Sequence, residues 1–180
     1  PYLISNNKIK IYYYCEQNFI NQWIRDIFEQ KNIILSLRKD HNFSLKIDFK
    51  DNYLKFSINN YNKKNKVPIT FQNLKNNIFD AMSTVKFEFK SFSYYPYLGI
   101  IQNSNMSVKL SDNYNIILSN LFDNEDGIKK EKLYSCLWPS NKEYAINKLD
   151  THLTNLKNFL KQNCSLDFQF KSQKGLLKLI

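Results

Sequence analysis

Apolar residues in this chain fall into short alternating runs that give way at definite places to stripes with helical spacing. The changes of period divide it into elements. Residues 8–15 (KIKIYYYC) are β-branched and aromatic and predict a strand. Phe19, Ile20, Trp23, Ile24, Ile27 and Phe28 recur at i, i+1, i+4, i+5, i+8 and i+9, which predicts a helix over 17–30 with all six on one face. Residues 32–37 (NIILSL) predict a second strand. Leu45, Ile47 and Phe49 then alternate with polar neighbours, the chain turns at Lys50-Asp51-Asn52, and Leu54, Phe56 and Ile58 resume the alternation, the pattern of a hairpin. The polar run 59–66 (NNYNKKNK) breaks the period and is expected to be an exposed loop. After Pro68 a helix is expected, with Phe71, Leu74, Ile78 and Met82 on its apolar side.

From Lys86 the period shortens to strand-like runs, FEFKSFSYY, GIIQN and SVKL, separated by Pro96, Gly99 and an Asn-Ser-Asn turn, so a small antiparallel sheet is expected. Ser111 stands as a helix cap with Asp112 in the first turn, followed by the stripe Tyr114, Ile117, Leu118, Leu121 and Phe122. A second helix is expected over 129–137, stopping at Pro139. A third is expected over 143–162, because Ile146, Leu149, Leu153, Leu156 and Leu160 are spaced 3, 4, 3 and 4 apart. Two short strands, 166–170 and 176–180, close the chain around Gly175. The fold class expected is α+β: a small α/β domain over 1–83, then a winged helix over 84–180 built from a sheet, three helices and a C-terminal hairpin.

Composition changes this picture little. A chain of 180 residues with 43% hydrophobic content can bury one sizeable core or two small ones. It has no run of eighteen apolar residues, and its opening PYLISNNKIK lacks the order of a secretory signal, so a cytoplasmic protein with no membrane partner is expected. Cys15, Cys136 and Cys164 are too few and too scattered for a disulfide framework or a zinc site, and they read as buried thiols. The net charge of +10 points to an anionic partner, although a chain so rich in Asn, Ile and Lys acquires charge from composition alone. Residues 141–180 hold 7 lysines against 3 acids, whereas 84–140 balance at 6 and 6. The N-terminal half, with 13 basic and 7 acidic groups, is no less basic than the C-terminal end.

Several residues in the second half carry a resemblance. Leu110-Ser111 stands where a sheet meets a helix cap, the LYSCLW run ends its helix at Trp138, and Leu149-Asp150-Thr151-His152-Leu153 supplies a leucine, an acid, any residue, a histidine and an aliphatic. In this order they resemble the winged-helix effector domain of OmpR/PhoB-type response regulators over residues 87–180. The wing keeps Gly175, with Leu176 and Leu177 in place of its usual partners. The resemblance implies a phosphorylation-independent DNA-binding transcription regulator, with the helix over 143–162 in the major groove of duplex DNA and RNA polymerase as a further contact. The N-terminal half resembles a truncated, degenerate receiver domain. It has one acid in Tyr14-Cys15-Glu16-Gln17, places Asp48 inside a hairpin, and has Lys66-Val67-Pro68 where a receiver has Lys-Pro. Such a half has no phosphorylation site and is expected to form a homodimer; an unrelated small α/β fold is the other reading.

At about 100° per residue the third helix turns its leucines to one side and Asn147, Lys148, Thr151, Asn155 and Asn158 to the other. Asn can pair bidentately with adenine and Thr can touch a thymine methyl, while Lys148, Lys157 and, on the wing, Lys174 can hold phosphates. Both arginines, Arg25 and Arg38, lie in the first half, so the commonest reader of G·C pairs is missing from the second and an A·T-rich site is expected. The bland reading is that these amides only solvate a surface.

An enzyme is not expected, since there is no Gly-rich phosphate loop or nucleophile elbow and only His41 and His152 could act as bases. His152, beside the leucine stripe, reads as structural. Asp123, Glu125 and Asp126 lack the glycine and glutamate positions of a calcium loop, so no metal or cofactor is expected. The rival function is a winged helix that has lost its DNA contacts and binds a partner regulator or RNA polymerase.

Overall fold

The computed structural model describes residues 10–15, 18–30, 34–36, 44–58, 61–140, 144–173 and 175–180. The protein is mixed α+β and divides into two compact units at 85/86. The division falls two residues past the boundary expected from sequence because Val85 is fully buried and bonds back to the Met82 carbonyl.

Among the described residues, unit 1 holds a five-stranded sheet and two helices. Its strands are β1 (Lys10–Cys15), β2 (Ile34–Ser36), β3 (Ser44–Lys50), β4 (Tyr53–Ile58) and β5 (Tyr61–Lys66), in the order β2-β1-β3-β4-β5. β1 pairs in parallel with both neighbours, and α1 (Asn18–Gln30) supplies the crossover that parallel β1 and β2 need. The other pairs are antiparallel. The β3–β4 hairpin turns at Asp51-Asn52, both at positive φ (52° and 62°), the primed-turn geometry that matches strand twist and that Asp and Asn tolerate. Leu45, Ile47, Leu54, Phe56 and Ile58 are buried against Ile24 and Ile27 of α1 and Leu74, Ile78 and Met82 of α2 (Phe71–Ser83), whose N-cap is Thr70. Trp23 departs from the single buried stripe expected for α1: it is exposed and meets Phe71 edge-on at 5.7 Å.

The run 59–66 is not the exposed loop its polarity predicts. Residues 61–66 form the edge strand β5, paired with β4 from Ile58↔Tyr61 to Tyr53↔Lys66. An edge strand needs only one ladder, and lysines along it discourage further strand addition. β5 is thus a strand without a hydrophobic signature.

Unit 2 opens with the antiparallel sheet β6 (Phe87–Phe89), β7 (Phe92–Tyr95), β8 (Ile100–Gln102) and β9 (Ser107–Lys109), in chain order. Three helices follow: α3 (Asp112–Asp123), α4 (Lys130–Leu137) and α5 (Ile146–Cys164). The Ser111 cap accepts from the Tyr114 N–H as expected. The terminal hairpin, β11 (Phe170–Gln173) and β12 (Leu176–Leu179), gains a third strand, β10 (Ile128–Lys129), which is too short to leave a periodic signal.

The strand expected over 166–170 is displaced. Leu166 and Phe168 are buried, yet Ser165 adopts a left-handed C-cap and the Leu166 N–H bonds back to Leu160, so this stretch seals the core as coil. Its alternation marks burial, and the ladder begins only at Phe170. The core joins the sheet aromatics Phe92 and Tyr94, Phe122 of α3, Leu133 of α4, the α5 leucines and Phe168. Burial pushes the Tyr94 hydroxyl above the ordinary tyrosine range, so it stays a donor, bonding the Asn115 side-chain oxygen at 2.5 Å.

Gly127, at φ 105°, turns the chain into β10, and a Cβ there would lie 3.2 Å from the Leu177 carbonyl oxygen of β12. Gly127→Ala combines backbone strain with that contact and is expected to destabilise unit 2 by about 2 kcal/mol. Urea unfolding of both proteins measures the difference.

Candidate nucleic-acid interface

Helix α5 is the longest element and has two chemically distinct sides. Leu149, Leu153, Leu156, Leu160 and Cys164 repeat at intervals of four, three, four and four, and all are buried. The opposite side follows from the same 3.6-residue period: Asn147, Thr151, Asn155 and Asn158 are exposed there together. The helix runs over Ile146–Cys164, starting later and ending later than the sequence pattern predicts. The shift leaves Asn147 in the first turn and brings Asn163 and Cys164 into the helix.

The outward side is made of short amides and hydroxyls that have both donors and acceptors. Thr151 donates to the Asn147 carbonyl at 2.8 Å and Thr154 to the Asp150 carbonyl at 2.9 Å, so both hydroxyls bond within their own helix, as a helical threonine allows. Asp150 is the acid that would repel a phosphate, and Lys130 of α4 bonds it at 2.6 Å. The side therefore presents little free negative charge.

The lysines expected beside these amides are not on the same face. Lys148 is exposed but its ammonium lies 4.0 Å from the centre of the Trp138 ring, on the flank toward α4. Lys157 is half-buried on the other flank and donates to Gln169 Oε1 at 3.0 Å, in a groove between α5 and the hairpin. At about 100° per residue Lys148 falls at the border of the amide face, whereas Lys157 falls beside Leu153 at the edge of the leucine stripe. Lys174 lies outside the described residues. Thr154 and Lys161, both exposed, were missed at the sequence level, although the same angular projection places them on this side.

On the hairpin, Lys171 and Lys178 are exposed and directly opposite each other, an arrangement in which like charges repel unless an anion lies nearby. Gly175 at the tip has φ 77°, and no atom lies within 4 Å of where its Cβ would be. Among the described residues, no group of three or more His, Cys, Asp or Glu could hold a metal, and no helix is long and apolar enough to cross a membrane. Of the cysteines with described side chains, Cys164 is buried and Cys136 half-buried, its thiol 3.7 Å from Asn120 Oδ1.

His152 of α5 is partly buried, its ring 5.1 Å from that of Trp138. Burial lowers its pKa below 6.5, and Lys148 lowers it further. The unfolded chain therefore takes up this proton first. The contribution to stability is complete above about pH 6.5 and is lost as pH falls toward the lower folded-state value. Thermal melts from neutral pH to pH 5 are expected to show a decline that His152→Gln makes shallower.

No protein-family model matches the chain, and no curated protein matches it in sequence.

Proposed function

We propose that unit 2 is a winged-helix domain of the OmpR/PhoB type and that the protein is a DNA-binding transcription regulator whose helix α5 enters the major groove of A·T-rich duplexes. The observation that carries this reading is the two-sided α5, with a continuous buried leucine stripe and an exposed face of Asn147, Thr151, Asn155 and Asn158. Asparagine matches the donor and acceptor pattern of adenine, and threonine offers a methyl to thymine. Element order supports it too: a four-stranded sheet, helix, short strand, two helices and a hairpin that captures the short strand. Lys148 and Lys157 on the flanks of α5 and the exposed Lys171 and Lys178 on the hairpin would hold phosphates, positioning the helix without reading sequence.

Unit 1 reads as a degenerate receiver. Its order β2-β1-β3-β4-β5 is that of doubly wound flavodoxin-like sheets, with hairpins replacing the later crossover helices. Asp48 lies within β3 rather than at its end and is paired with Lys46 at 3.0 Å, a setting that favours phosphorylation-independent action.

A salt series tests the reading. Duplex affinity should fall steeply and linearly in the logarithm of salt concentration as counterions are released, whereas an apolar protein interface would not respond in this way. Asn155→Ala should cost about 1–3 kcal/mol on the preferred site and little on others. Equal loss on all sequences, or none, would remove α5 from the groove.

A further inference from the structure

The helices α1 and α2 cover one face of the unit 1 sheet through the buried residues of β3 and β4, and the alternate residues form the other face. Register gathers lysines there. Lys55 of β4 stands between Asp48 of β3 and Lys64 of β5, and Tyr53 stands between Lys50 and Lys66. With Lys46 beside Asp48, this face holds five lysines to one aspartate on its three strands. Among the described residues, Lys50, Lys55 and Lys66 have no carboxylate partner, and Lys64 lies 4.1 Å from the centre of the Tyr53 ring. The other face is treated differently: Lys63, one residue from Lys64, reaches Asp80 of α2 at 2.9 Å.

Lys55 and Lys64 are directly opposed, which costs the free protein stability. A partner that supplies closely spaced negative charge relieves that repulsion. Protein interfaces have apolar centres and are depleted in lysine, and membrane-surface elements insert apolar side chains; across β3, β4 and β5 this face is dominated by lysine, with Asp48, Ser57, Asn62 and the half-buried Tyr53, and Tyr12 and Tyr14 of β1 follow in register. Point charges on a polar surface suit a phosphate backbone, which they hold without reading bases.

We infer that the open lysine face of the unit 1 sheet is a second, sequence-independent docking surface for the phosphate backbone of duplex DNA. The inference rests on the reading that duplex DNA is the protein's ligand, but not on α5 being the element that reads it.

The test measures binding of the full chain to a random-sequence duplex across a salt series, for the parent and for a Lys50→Gln, Lys55→Gln, Lys64→Gln triple variant. Each phosphate contact contributes about 0.9 to the slope of log affinity against log salt, so the triple variant should lose about 2 to 3 from its magnitude. Arginine at the same three positions should restore the parental slope. An unchanged slope in the glutamine variant overturns the inference and leaves α5 untouched. If the glutamine variant loses slope while Asn155→Ala is silent on every sequence, the sheet face stands and the α5 reading fails. Absence of duplex binding by the parent, or binding to phosphatidylserine vesicles that the triple variant loses while duplex affinity is unaltered, also overturns it.

Discussion

Thr151→Glu is expected to abolish duplex binding, lowering affinity roughly 100-fold or more, since a like charge brought against a charged partner costs several kcal/mol. Thr151 lies at the middle of the exposed amide face, flanked in angle by Asn147, Asn155 and Asn158, and any major-groove approach of α5 carries it between the phosphate rows. Glutamate is a good helix former, and the Thr151 hydroxyl bonds only its own helix, so the fold should be retained. Thr151→Gln is the matched control: it has nearly the same shape without charge and should stay within about tenfold of the parent. Fluorescence anisotropy at low salt separates the two. Parental affinity for the glutamate variant would mean that this side of α5 faces no DNA.

Phe168→Ala should unfold unit 2 at markedly lower temperature. The ring is almost fully buried, stacks on Phe89 with centroids 5.6 Å apart and meets Phe92 at 4.9 Å. Removing a buried aromatic costs about 3–5 kcal/mol, combining lost transfer energy with the cavity left behind. For a unit of this size that corresponds to a drop in Tm of about 15 °C or more. Calorimetry should show the transition of unit 2 shifted and that of unit 1 in place, because Phe168 belongs to the core of unit 2. A loss below about 1 kcal/mol would indicate that the coil after α5 does not close the core.

These two residues also show what the sequence made legible. The α5 leucines announce themselves because a 3.6-residue period is a direct consequence of helix geometry, and the same period locates Thr151 opposite them. The β3–β4 hairpin is legible because alternation and the Asp51-Asn52 turn agree. The strand expected over 166–170 is coil up to Gln169, since the alternation of Leu166 and Phe168 reports burial and not hydrogen bonding. β5 was invisible because an edge strand with polar residues on both sides has no period in hydrophobicity. β10 has two residues and exists through its pairing with β12. The lysines were the least legible part of the candidate site: long side chains lie toward local partners, Lys148 toward Trp138 and Lys157 toward Gln169, and composition cannot foretell those partners.

The most direct test of the central claim, that α5 offers an amide face to the major groove, is selection of bound duplexes from a random pool by the full chain, repeated with Asn155→Ala. The parent is expected to enrich an A·T-rich motif, and the variant to lose preference at one adenine while retaining the rest. A pool that returns no motif, or a motif that Asn155→Ala leaves intact at every position, would contradict it.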